Sequence, residues 1–358
     1  MHVPISRLQF GPEEHAALSA VLSSEQLAKG PRVEELETRF AAYHGARHGV
    51  AVGSGTAALT LALIAHGIGA GDEVIIPSFS FFATASAVLG AGAVPVFADI
   101  EADSYCLSPD AARAAISPRT RAIMPVHLFG LPADLPRLSA LCREHGLLLL
   151  EDAAQAHGAA IGDARVGSTG TAAFSFFSSK NMTTGEGGMV LTDDAAVAHR
   201  LRMLRNHGRS AEAHELIGSN QRMNELAAAL GCVQLTRLPG FNAARRDNAH
   251  HFDRYLRGVT TPVASAGTTH VYHQYTVRVP AGDRDRLVTR LNERGVGARV
   301  YYKQPIHAQP AILARPGARS LDLPETERAS REVLSLPVHP GLTEAERAYV
   351  VESVNASV

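Results

Sequence analysis

Residues 147–159 read LLLLEDAAQAHGA. Four leucines follow Gly146 and end on two acids and a run of small residues. That pattern predicts a strand buried on both faces that carries Glu151 and Asp152 to its C-terminal edge, where ligands of open α/β sheets bind. For a lone strand-end acid a solvated position is the commoner outcome, so Asp152 gains meaning only from its surroundings. Outward from it, strands and helices alternate. HGVAVGS (48–54), EVIIP (73–77), VPVFADI (94–100) and RAIMPVH (121–127) are apolar runs of strand length. TAALTLALIAHG (56–67), FATASAVLG (82–90) and ADLPRLSALCREHG (133–146) separate them as helices. TAAFSFF (171–177) and GGMVLT (187–192) complete the same sheet. The rhythm predicts an α/β fold with a mostly parallel sheet and helices on both faces.

Beyond this core the periodicity changes. PRVEELETRFAAYHG (31–45) places Val33, Leu36, Phe40 and Tyr43 at helical spacing behind Pro31. Helices are predicted over 194–208 and 223–238, and a separate arginine-rich helix over 241–258. VYHQYTVRV (271–279) and ARVYY (298–302) read as strands on either side of an amphipathic helix at 284–295. Residues 1–239 are expected to form a large domain and 240–358 a smaller α+β domain.

The 358 residues carry a net charge of −1, with no basic excess to neutralise a nucleic-acid backbone. Three widely spaced cysteines, Cys106, Cys142 and Cys232, suggest no disulfide framework and a reducing compartment. The start, MHVPISRLQF, does not read as a signal peptide, and no apolar run is long enough to span a membrane. A cytoplasmic protein without nucleic-acid or membrane partners is expected. Seventeen histidines include no HExxH and no close Cys/His cluster, so no metal site is expected. Of 34 basic residues only three are lysines: Lys29, Lys180 and Lys303.

Two further stretches bear on the chemistry. VAVGSGTAAL (50–59) is a strand, a glycine turn and a helix start, which together suit a phosphate. Gly53, Gly55 and Ala58 also satisfy the loose dinucleotide fingerprint, but the next strand ends on Pro77-Ser78 where that fingerprint requires an acid. A plain structural turn stays open. In AAFSFFSSKNMTTGEGGM (172–189), Lys180 follows an apolar strand among small and polar residues. A phosphate cradle, a strand-end Asp152 and an isolated Lys180 are together the parts a pyridoxal-phosphate site needs: an anchor, a partner for the pyridine nitrogen, and an amine for the cofactor's aldehyde.

On these motifs the chain resembles the DegT/DnrJ/EryC1/StrS aminotransferases of fold type I over nearly its whole length. The resemblance implies Gly55, Thr56 and Ala57 at the phosphate, Ser175 as a further phosphate ligand, and Phe81 stacked on the cofactor ring. It implies Asp152 at the ring nitrogen, Gln155 near the phenolic oxygen and Lys180 as the Schiff-base lysine. Asn220 would reach the phosphate of a neighbouring subunit, which implies a homodimer with shared active sites. His307, Tyr302 and Arg222 fall in segments that resemble the substrate side. The chain departs from the pattern at Gln221, where an aromatic residue is usual, and at Ser178-Ser179. Because Lys180 is a lysine and not histidine, transamination is implied over dehydration. Glutamate or glutamine would donate the amine in a ping-pong exchange. The TTGEGG run (183–188) resembles members that aminate the 4-position of a nucleotide-linked 4-keto-6-deoxyhexose. A cyclitol or other keto metabolite as acceptor, and a non-catalytic cofactor- or sugar-binding regulator, are the alternatives.

Overall fold

The computed structural model describes residues 1–315 and 321–358. Seven strands form the central sheet: β1 (His48–Val52), β2 (Glu73–Pro77), β3 (Val94–Ala98), β4 (Thr120–Ile123), β5 (Leu148–Asp152), β6 (Thr171–Ser175) and β7 (Gly188–Thr192). Their order is β1-β7-β6-β5-β4-β2-β3. Only β7 runs against its neighbours, pairing antiparallel with both β1 and β6. The remaining pairs are parallel.

Period-two alternation sorts the strand residues between two cores. Val50, Val52, Val74, Ile76, Leu150 and Val190 face one side, against the helices Gly55–Ala65 and Ala195–Leu204. Ala51, Phe174, Met189 and Leu191 face the other, against Phe40 and Leu36 of the helix Pro31–His44. Burial on both faces is why the leucine run of β5 carries no polar alternation.

The C-terminal half has its own core of Phe252, Tyr275, Val277, Leu287, Leu334 and Val350. Three features differ from the sequence reading. The two helices predicted on either side of residue 239 are one, Glu225–Tyr255, with Pro239 inside it. Its first half packs Ala228, Cys232 and Leu235 on the large sheet, and its second half packs Ala249 and Phe252 on the smaller core. Secondly, Val3 joins that smaller core, bonded to Gly295 and Gly297. Thirdly, 298–302 is not a strand. Arg299 makes a single bridge to Ser335 and the chain then turns, which brings Tyr301 and Tyr302 to a cavity at the central sheet. The strand that pairs with Tyr275–Arg278 is Val333–Leu336. It escapes sequence reading because three apolar residues and one serine follow the helix Pro324–Glu332 with no turn residue between. Among the described residues no helix is long and apolar enough to cross a membrane.

Candidate active site

Strands β1, β2, β4, β5 and β6 point the same way, so their C-terminal ends open on one side of the sheet. A cavity of about 730 Å³ lies there. This is the edge at which open α/β sheets bind ligands.

At the end of β1, Ser54 caps the helix Gly55–Ala65 by accepting the Ala57 N–H at 3.1 Å. The helix start, with its positive dipole end, is presented to the cavity by Ser54, Gly55 and Thr56. Ala57 does not line the wall, since its N–H is spent on the cap. Ser175, at the end of β6, closes over Gly55. A Cβ at 55 would stand 2.6 Å from the Ser175 Cβ, closer than packed atoms allow. Only glycine lets the helix start and the Ser175 hydroxyl share one anion site. Gly55→Ala should therefore displace Ser175 and weaken phosphate capture about tenfold, roughly one hydrogen bond's worth. Titrating the apoprotein with pyridoxal phosphate would check this.

Asp152 ends β5 and is buried on the cavity floor. Its Oδ2 accepts from Thr84 Oγ1 at 2.9 Å and its Oδ1 from the Ala154 N–H at 3.2 Å. Thr84 in turn lies 2.8 Å from Ser80 Oγ. Because the Thr84 proton goes to the carboxylate, Ser80 must donate to Thr84, so two hydroxyls point in series at Asp152. Burial raises the Asp152 pKa, while these donors oppose the shift.

Lys180 sits on the turn after β6, its N–H bonded to Phe177 O at 2.9 Å. Burial pulls its amine down to about 8, against the attraction of Asp152. An amine so poised is roughly a tenth neutral at pH 7 and about half neutral at pH 8, enough to serve as a nucleophile or proton carrier. Lys29 is instead paired with Glu34 at the surface, and Lys303 is exposed. Among the described residues lining the cavity, Lys180 is the only lysine or arginine.

Gln155 anchors through Oε1 to the Phe129 N–H at 2.7 Å and donates from Nε2 to the Tyr302 hydroxyl at 3.1 Å. Its amide is thereby held in one orientation beside Asp152. Phe81 lines the mouth, 59% exposed and 6.1 Å from the Tyr302 ring, an open aromatic face over the cavity.

The structure thus brings Gly55, Thr56, Phe81, Asp152, Gln155, Ser175, Lys180 and Tyr302 into one cavity. It leaves four expected residues off the wall in this chain: Ala57, whose N–H is spent on the helix cap, and His307, Arg222 and Asn220. His307 is tied to Ser78 Oγ through Nδ1 at 2.6 Å, and its ring packs beside Phe97 behind the wall. Arg222 binds Asn206 Oδ1 at 2.6 Å, and Asn220 is exposed on the segment that bridges to Asn206.

Sequence reading missed Ser80, Thr84, His273, Gln274 and Tyr301, all of which line the cavity. Thr84 sits three residues after Phe81 in PSFSFFAT, where helix periodicity hides it as a core position. His273 and Gln274 interrupt an otherwise apolar strand pattern with two polar residues in succession, the one signal available.

The arrangement suits pyridoxal phosphate. A helix start and a serine hydroxyl stand ready for the phosphate, a buried carboxylate for the pyridine nitrogen, and a partly neutral lysine for the aldehyde. The model of the DegT/DnrJ/EryC1/StrS aminotransferase family matches residues 9–355. The chain is 41% identical to a pleiotropic regulatory protein of Geobacillus stearothermophilus, over 99% of this chain and 98% of that one. It is also 41% identical to UDP-N-acetyl-3-dehydro-alpha-D-glucosamine 3-aminotransferase of Acidithiobacillus ferrooxidans, over 98% and 96%. Among solved structures, S. venezuelae DesV in complex with a ketimine intermediate superposes with a TM-score of 0.91. That structure is 42% identical, with 96% of this chain and 94% of that chain covered. The chain belongs to the DegT/DnrJ/EryC1/StrS aminotransferase family and is a fold type I, pyridoxal-phosphate-dependent sugar transaminase.

Proposed function

We propose that this enzyme takes an amino group from glutamate or glutamine and delivers it to a nucleotide-linked 4-keto-6-deoxyhexose in a ping-pong exchange. The reading rests on Lys180 and Asp152 lying in one cavity whose other polar lining is hydroxyls, amides, tyrosines, His273 and Glu186. Such a wall suits a polyhydroxylated acceptor better than a second amino acid, because a carboxylate needs a guanidinium and no arginine lines it. The cation for the donor's carboxylate would come from Arg222 of a second copy, and Asn220 of that copy would complete the phosphate site. A homodimer with shared sites is part of the proposal, as is a cytoplasmic setting, in keeping with three free, buried cysteines.

When bound, the cofactor supplies an electron sink that acidifies the substrate's Cα proton. Asp152, held anionic by Thr84 and Ala154, keeps the pyridine nitrogen protonated. Lys180 Nζ takes the proton from Cα and returns it to the cofactor's C4′ carbon, and the reverse passage serves the acceptor.

The amine must be neutral to capture the cofactor aldehyde. With the Lys180 pKa at about 8, the rate of pyridoxal-phosphate capture by apoprotein should rise about tenfold per pH unit below 8 and level off above it. Stopped-flow absorbance across pH 6–10 checks this. A rise continuing to pH 10 would return Lys180 to its ordinary range.

The acceptor is tested by converting the enzyme to its amine form with glutamate and adding dTDP-4-keto-6-deoxyglucose, a 3-keto nucleotide sugar, or a keto cyclitol. Recovery of the yellow form with the first alone supports the 4-position. The TTGEGG segment favours that position, whereas the Acidithiobacillus relative is named for the 3-position. Recovery with the cyclitol alone would replace the nucleotide sugar as acceptor.

A further inference from the structure

His273 lines the cavity on the wall contributed by the C-terminal half, yet nothing in the proton transfers above uses it. Its delivery is elaborate. The turn Val271–Gln274 holds Tyr272 at φ +42°, a left-handed conformation that bulky residues avoid. Several groups force it. Gly130 O accepts the Val271 N–H at 3.0 Å, and His270 Nδ1 accepts the Tyr272 N–H at 2.9 Å. Buried Arg245 donates to Tyr272 O at 3.1 Å and His273 O at 3.2 Å. No carboxylate is paired with Arg245 among the described residues, so its role is to clamp this turn.

The imidazole is itself oriented. Asn181 Nδ2 donates to Asn242 Oδ1 and to Val271 O, both at 2.9 Å, so its Oδ1 is the atom left to face His273. His273 Nδ1 therefore carries the proton and donates to Asn181 Oδ1 at 3.2 Å. Burial, with Lys180 and Arg245 nearby, holds the ring neutral by pulling its pKa well below the ordinary value. Nε2 is then a lone pair without a proton, on a ring that borders the cavity.

We infer that His273 is a specificity-determining residue whose Nε2 accepts a hydrogen bond from a hydroxyl of the amino acceptor. The two substrates of a ping-pong enzyme visit one cavity in turn, and they differ in what they offer such a lone pair. A glutamate carboxylate brings only lone pairs and is repelled. A sugar hydroxyl brings a proton. His273 thus favours hydroxylated carbonyl compounds over amino acids in the acceptor half of the cycle. This rests on the sugar reading above and adds the residue that recognises the ring hydroxyls.

The test compares the two half-reactions separately, by cofactor absorbance, in the parent, His273→Phe and His273→Gln. The acceptor probes are dTDP-4-keto-6-deoxyglucose and its 2-deoxy and 3-deoxy counterparts. In the parent, one deoxy probe should react at least tenfold more slowly than the hydroxylated one. His273→Phe should abolish that preference and lower the acceptor half-reaction at least tenfold more than the glutamate half-reaction. Calorimetry should show dTDP-4-keto-6-deoxyglucose binding the His273→Phe apoprotein about tenfold more weakly than the parent apoprotein. Glutamine places an acceptor oxygen near the Nε2 position, so His273→Gln should keep the preference; this decides the matter if the Phe variant does not fold. Persistence of the preference in His273→Phe, its loss in His273→Gln, or an equal fall of both half-reactions overturns the inference while the sugar reading stands. A parent enzyme that aminates none of the three probes overturns the 4-keto-6-deoxyhexose reading and this inference with it.

Discussion

Lys180→Ala should abolish transamination, with kcat falling at least ~10⁴-fold, at the upper end of what one proton-transfer group supplies. Two losses combine in this variant. No amine remains to hold the cofactor covalently, and no group remains at that position to carry the proton between Cα and C4′. Neither Lys29 nor Lys303 can substitute, because one is paired with Glu34 at the surface and the other lies outside the cavity. The fold should survive. A lysine whose folded pKa is lowered to about 8 weakens the folded state wherever the pH lies below its unfolded value, most fully below 8. At pH 7 the apo variant should therefore melt no lower than the parent. Calorimetry of the apoproteins and steady-state assays of the holo forms measure the two halves of the prediction. Retained turnover would remove Lys180 from the chemistry.

Asp152→Asn should reduce kcat by ~10²–10³-fold while the cofactor remains bound, the range observed when one preorganised electrostatic partner is removed. Asparagine keeps the shape, and Thr84 can still donate to its oxygen at the present 2.9 Å geometry. What disappears is the negative charge that keeps the pyridine nitrogen protonated, and with it most of the electron sink. The Ser54–Thr56 helix start and Ser175, proposed to hold the phosphate, and the amine of Lys180 are untouched, so affinity for pyridoxal phosphate should fall far less than kcat. A parallel loss of binding and turnover would make Asp152 an anchor instead. Glutamate at this position is no remedy, because an added methylene carries the carboxylate away from Thr84 and into the space where the pyridine nitrogen would lie.

Much of this site could be read from the chain because the chemistry falls at strand ends. The run 147–152 is apolar enough to identify β5, and the position of Asp152 at its end follows from the direction of the strand. The same holds for Ser175 and Lys180 after β6, and for Gly55 after β1. What escaped lies where the period of the sequence points to a different role. Residues 271–274 alternate like a strand, but a left-handed Tyr272 breaks the alternation and turns His273 and Gln274 into the cavity. The clamp that imposes this, Arg245, is 5% exposed, although a charged residue on a helix ordinarily lies on the solvated face. The single helix Glu225–Tyr255 was divided because Pro239-Gly240 reads as a break; packing on two cores carries the helix through it. His307 illustrates the converse: a residue in a substrate-side motif that is turned away by a short bond to Ser78.

If the cavity at the C-terminal strand ends moves an amino group through Lys180 onto a keto sugar, both the lysine and the product are open to direct measurement. A single-turnover experiment addresses both. Holoenzyme is reduced with borohydride and digested, and the modified residue is identified by mass spectrometry. A second portion is converted with glutamate and then given one equivalent of dTDP-4-keto-6-deoxyglucose. The cofactor should be fixed on Lys180, one 2-oxoglutarate released per site, and one aminated sugar formed as the yellow absorbance returns. Cofactor trapped at Lys29 or Lys303, or a glutamate-converted enzyme that no keto sugar restores, would contradict that transfer.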